Sequence, residues 1–183
     1  DAGRAHDLGG AHNGAKVAVI GHMVEHDDKR RTVACAIENI GDIIVRSNLA
    51  DFAFTNSATL YEKQAILLDR VRNMKDVFCT FSQGIYETTL VVSSSIVPLV
   101  DEIFRDEHKI SQTQHLSSIT VKLPAENAIC PGVYYYIFKE LAWDNINIAE
   151  VISTTNEFTV VISDDDIHRA FTILMEAKRT AGL

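Results

Sequence analysis

The sequence predicts an α+β fold: two βαββαβ units in tandem behind a short N-terminal helical appendage. Three observations predict it. From Gly41 onward, apolar residues switch repeatedly between the alternating spacing of strands and the three-and-four spacing of helices. The switches come in the order strand, helix, strand, strand, helix, strand, which is the split βαβ, or ferredoxin-like, arrangement. The hydrophobic pattern of residues 81–83 and 90–93 also returns about 70 residues later at 152–154 and 160–163, together with the helices that follow. The expected organisation is an appendage over 1–41, a first unit over 42–114 and a second over 115–183.

In the appendage, Val17, Ile20 and Val24 form one short helical pattern, and Val33, Ala36, Ile37 and Ile40 form another after a polar break at residues 26–29. The first unit opens with a β-branched strand at 43–49. A helix follows with Leu60, Gln64, Leu67, Val71 and Met74 on one face, behind a Thr59-to-Glu62 capping box. Residues 77–83 and 86–93 read as strands of a hairpin turned at Gly84. Ile96, Val97, Val100, Ile103 and Phe104 make the second helix face, and 109–114 the closing strand. In the second unit, 119–123 alternates as a strand, and Pro131 and Gly132 open a helix facing inward through Val133, Ile137 and Leu141. Residues 146–154 are extended, Thr155 and Asn156 turn, and Phe158, Val160 and Ile162 share one strand face. Asp164, Asp165 and Asp166 cap the last helix, whose inward residues are Ile167, Ala170, Phe171 and Leu174.

Composition bounds the partners. The 183 residues carry 17 Lys+Arg against 25 Asp+Glu, a net charge of -8 that argues against nucleic acid as the main partner. Any DNA reader would have to lie upstream of these residues. No apolar run reaches the roughly 20 residues of a bilayer span, and the first residues lack the pattern of a signal peptide. Cys35, Cys79 and Cys130 are odd in number and far apart, so they read as free thiols of a cytoplasmic protein.

More specific than the periodicity are Ile119-Thr-Val-Lys-Leu123, Pro131-Gly-Val-Tyr-Tyr-Tyr-Ile-Phe-Lys-Glu-Leu141, Asn145-Ile-Asn-Ile-Ala-Glu-Val-Ile-Ser-Thr154 and Phe158-Thr-Val-Val-Ile-Ser163. Together these resemble the regulatory ACT domains of aspartokinases, with Asn145 where Gly is usual. The first unit resembles them more weakly, through Phe81-Ser-Gln-Gly-Ile-Tyr-Glu-Thr-Thr-Leu-Val-Val92. No kinase domain fits beside two such units in this length.

The resemblance implies a non-catalytic sensor that binds a free amino acid where two units pair, needs no cofactor or metal, and forms a homodimer or larger assembly. It implies a ligand set of Ile129, Pro131, Gly132, Val133, Tyr134, Asn145, Ile146, Asn147 and Ser153. Asn48, Ser57 and Gln83 form a second possible site in the first unit. The chemistry can be read independently: the free N–H groups of Gly132, Val133 and Tyr134 at a helix start suit a carboxylate. Asn145 and Asn147 could take the ammonium, or serve only as turn and cap residues.

Two other readings belong to different classes. His22, Glu25 and His26 match an H-x-x-E-H spacing, which on a helix would suit a metal-dependent hydrolase. No third ligand is placed by context, and solvated helix-end histidines explain the pattern as well. The units could also serve purely as a dimerisation module. An apolar edge over 146–152 should pair with another unit.

Overall fold

The computed structural model describes residues 41–124 and 132–181. Most of the expected appendage lies outside the described residues. So do His22, Glu25 and His26, the residues Cys130 and Pro131, and the candidate Ile129. The described chain is α+β and divides into two compact units, one spanning Val45–Ser118 and the other built from residues 41–44 together with the chain from Ile119 onward.

In the Val45–Ser118 unit, strand β1 (Ile43–Thr55) leads to helix α1 (Leu60–Val71), strands β2 (Cys79–Gln83) and β3 (Glu87–Ser93), a turn of 3-10 helix at Ser94–Ile96, helix α2 (Val97–Ile103) and strand β4 (Lys109–Lys122). The strand order is β2-β3-β1-β4. β3 pairs antiparallel with both neighbours, Leu90 standing opposite Phe52 on one side and Phe81 on the other. Alternation sends Ala50, Phe52, Phe54, Leu90 and Val92 to one sheet face. There they meet Leu60, Leu67 and Val71 of α1 and Ile96, Val100 and Phe104 beside α2. Phe54 stacks between Phe52 and Phe104, its ring centroid 4.9 Å from the latter.

In the other unit, the end of β4 leads to helix α3 (Val133–Trp143), strands β5 (Ile148–Ser153) and β6 (Glu157–Ser163), a 3-10 turn at Asp164–Asp166 and helix α4 (Ile167–Ala181). Its core repeats the plan: Ile119 and Val121 of β4, Leu123 just after it, and Phe158, Val160 and Ile162 of β6 lie under Val133, Ile137, Leu141, Ala170 and Leu174. No strand follows α4 among the described residues. The fourth place in the sheet is taken from upstream, where Gly41 N–H donates to the Lys122 carbonyl and Lys122 N–H to the Asp42 carbonyl. The Lys178 ammonium of α4 holds the Gly41 carbonyl at 2.9 Å.

Two strands are longer than their sequence signals. β1 runs on to Thr55 because Phe52 and Phe54 carry the alternation into the core. β4 is one strand of 14 residues, not the two expected at 109–114 and 119–123. Nothing between them breaks a strand, Leu116 to Ser118 are buried, and the irregularity is absorbed at His115, which takes φ 58.

The corner from α3 into β5 shows why a particular residue type stands there. Ile146 N–H donates to the Leu141 carbonyl and Asn145 N–H to the Ala142 carbonyl, the two bonds of a Schellman ending, with Asn145 left-handed at φ 55. Ile146 and Leu141 are both buried, supplying the apolar contact that accompanies the motif. A residue at this corner must tolerate φ > 0, which Gly and Asn do and β-branched residues do not. Urea unfolding should therefore find Asn145→Gly as stable as the parent or more so, and Asn145→Val less stable by about 1–2 kcal/mol.

Candidate functional site

At the start of α3, Gly132 is the N-cap residue with φ 101, a conformation that side chains rarely adopt. Its carbonyl accepts from Tyr136 N–H, and it brings no side chain to cap the first amides of the helix, which have no carbonyl partner within the helix itself. Val133, next along, is buried in the core and fixes the helix start against the sheet.

Tyr134 lies at the rim of that core, partly exposed. Its ring packs on Phe158 at 4.8 Å, and its hydroxyl lies 2.9 Å from the Ser153 hydroxyl at the end of β5. The fold thus joins Gly132, Tyr134 and Ser153 at one edge of the unit. The other candidates divide. Ile146 is a core residue, Asn145 forms the helix-ending corner, and Asn147 is exposed at the start of the β5 segment.

The first unit repeats the tyrosine. Tyr61, in the first turn of α1, accepts a 2.8 Å hydrogen bond from Gln83 Nε2 at the end of β2. That is the same pairing of helix start and strand end as Tyr134 with Ser153. The hairpins match as well: Gly84 N–H donates to the Glu87 carbonyl in one and Thr154 N–H to the Glu157 carbonyl in the other. Tyr61 escaped the sequence reading, although aligning the two helix starts would have found it.

What precedes the helix differs. The expected capping box is not formed: Thr59 is helical at φ -92 and makes no side-chain cap. The Ser57 hydroxyl accepts from Leu60 N–H instead, and the carboxylate comes from far along the chain. Glu107 accepts from the Ser57 and Thr59 hydroxyls, at 2.6 Å each, and pairs with Lys63 at 3.1 Å. A local Glu loses to a distant one because the turn after α2 delivers Glu107 with its side chain only 3% exposed. Burial by itself would raise its pKa, but the hydrogen bonds from Ser57, Thr59 and Lys63, with the Lys63 charge, outweigh it and hold the carboxyl below its ordinary range. Asn56 is also committed: its amide donates to the Gly84 carbonyl and its oxygen accepts from the Thr88 hydroxyl.

Asn48 does not join Ser57 or Gln83 by any hydrogen bond among the described residues. It sits near the middle of β1, left-handed at φ 59, with its amide 3.5 Å from the Ser47 hydroxyl. Cys79, half-buried on β2, has its thiol pushed up to about 11 by burial, so it is no nucleophile near neutral pH. No cluster of three or more His, Cys, Asp or Glu suited to a metal occurs among the described residues. No helix among them is long and apolar enough to cross a membrane.

No protein-family model and no curated protein matches the sequence. Solved structures do match its fold. The regulatory subunit of aspartate kinase from Thermus thermophilus aligns at a TM-score of 0.62 and 12% identity, over 75% of this chain and 97% of that one. A structure of aspartokinase alpha and beta subunits gives 0.64 and 16%, over 76% and 99%. Aspartokinase III from E. coli, in complex with aspartate and ADP, gives 0.58 and 14%, over 76% of this chain but 34% of that one. The chain has the fold of aspartate kinase regulatory domains, of tandem ACT type.

The Glu107 cluster makes a prediction with a definite sign. A carboxyl whose folded pKa is depressed stabilises the fold above its unfolded pKa, and that contribution is lost as pH falls through the folded value. At pH 7, Glu107→Gln should cost about 1.5–3 kcal/mol, the range for hydrogen bonds to a charged group. Denaturant titrations repeated at decreasing pH should show the gap between parent and variant closing through the acid range.

Proposed function

We propose that this chain is a non-catalytic regulatory protein that binds a free amino acid through the unit containing α3. The observation that carries the reading is the meeting of three features at one edge: the α3 start at Gly132, a cap residue without a side chain, the Tyr134 hydroxyl and the Ser153 hydroxyl. Backbone amides at a helix start favour a carboxylate by both hydrogen bonding and the helix dipole. The hydroxyl pair supplies neutral donors and acceptors for an ammonium or a polar side chain. By the family resemblance Pro131 and Ile129 belong to the same ligand set, and the exposed Asn147 would face the ammonium.

The fold shared with aspartate kinase regulatory subunits supports a regulatory role in place of a catalytic one. The second wall of the site would come from a unit of another copy of the chain. β5 is suited to that pairing, with partly exposed Val151 and Ile152, though a bulge between Ile148 and Glu150 limits the edge available. A ligand held by two copies stabilises the arrangement that holds it, which is the differential affinity a switch requires. Such a sensor of metabolite pools would act in the cytoplasm.

Thermal shift of the full chain against the standard amino acids tests this reading. One amino acid, or a few chemically related ones, should raise the midpoint. Ser153→Ala and Tyr134→Phe, which keep the Phe158 contact and remove only hydroxyls, should weaken that response without unfolding the protein. Stabilisation by none of the amino acids would refute the proposal.

A further inference from the structure

We infer that Glu107 is a built-in ligand of the first unit, occupying with its own carboxylate the place at the α1 start where a free anion would bind. This rests on reading the α3 start as the ligand-binding one, and it sets the stoichiometry: one amino acid per chain, held by the second unit.

The two units can be compared from their helix starts, Leu60 and Val133, both buried at 1% exposure. Before Leu60 stands Thr59 with a hydroxyl; before Val133 stands Gly132 with none. Glu107 reaches the first of these starts and receives what an amino-acid carboxylate would seek there. It has two hydroxyl donors at 2.6 Å, an ammonium at 3.1 Å and the positive end of the helix dipole. The Ser57 hydroxyl links the charge to the helix, donating to Glu107 while accepting from Leu60 N–H.

The carboxylate is delivered by the core. Glu107 N–H donates to the carbonyl of Phe104, itself buried in the first unit's apolar cluster, so the turn carrying the carboxylate is anchored. A group tethered in this way acts at an effective concentration of millimolar or more, without the entropy cost of binding from solution. A free amino acid must displace it and leave Glu107 buried and unpaired. No counterpart of Glu107 stands at the matching place among the described residues of the second unit. The repeat offset of about 70 residues brings Ala177 to the place of Glu107, within helix α4, which continues to Ala181 with no turn to present a carboxylate.

Removing the tethered group should convert the start of α1 into a site for small carboxylates. The thermal midpoint of Glu107→Ala is measured in sodium formate and in sodium chloride at matched ionic strength, beside the parent protein. Formate should raise the midpoint of the variant above its chloride value by clearly more than it raises that of the parent, since any binding at the α3 start is common to both proteins. An equal response in both proteins, or none in the variant, overturns the inference. If the variant is too unstable to show a transition, its refolding yield in formate against chloride gives the same two outcomes. Calorimetric titration of the parent with the stabilising amino acid should saturate at one per chain, and two per chain overturns the inference. Absence of any amino-acid binding refutes the proposed function instead, while the formate comparison still decides the role of Glu107.

Discussion

Each unit depends on one constraint: a sheet face must be buried under two helices, so the chain has to leave the first helix at a steep angle and re-enter the sheet in register. An L-residue with negative φ does not make that corner in either unit. Asn145 does it after α3 with φ 55, and Asp76 after α1 with φ 62. The second corner is braced, since the Arg46 guanidinium donates to the Asp76 carbonyl at 3.0 Å and lies over the Phe78 ring. If these corners open, Ile146 and Val77 lose their places beside the core, and a strand with period-two side chains cannot slip by one residue without exposing its buried face.

On this common frame the polar residues have diverged. The hairpin closures and the pairing of a first-turn tyrosine with a strand-end side chain are the same in both units. The residues that lead into the first helices are not. Short polar side chains committed to Glu107, Gly84 and Thr88 stand before α1, and a glycine stands before α3. Packing constrains the shared frame in both copies, while the polar residues at its rim are free to differ.

The frame was legible in the sequence because it is written in hydrophobic period. Phe158, Val160 and Ile162 announce a strand face, and Val133, Ile137 and Leu141 a helix face, whatever surrounds them. Tyr134 and Ser153 meet hydroxyl to hydroxyl, a contact between residues 19 apart that no local pattern announces. Glu107 was invisible because its partners, Ser57, Thr59 and Lys63, lie some 45–50 residues away, and no local pattern marks a carboxylate that packs against a distant loop. The capping box at Thr59 and Glu62 is a local rule that lost to that tertiary contact. The length of β4 was hidden for another reason: His115 absorbs the irregularity in one left-handed residue, so polar residues 111–115 interrupt the apolar pattern without ending the strand.

The pairing of Gly41 and Asp42 with Lys122 bears on the order of assembly during synthesis. Residues 45–118 are contiguous, so that unit can complete its sheet and both helices as soon as they leave the ribosome. The other unit must hold its first few residues in reserve until β4, β6 and α4 have been made, closing a loop of roughly 80 residues at a modest entropic cost. That loop is already a folded body whose two ends emerge in β1 and β4, which shortens the search the late unit has to make.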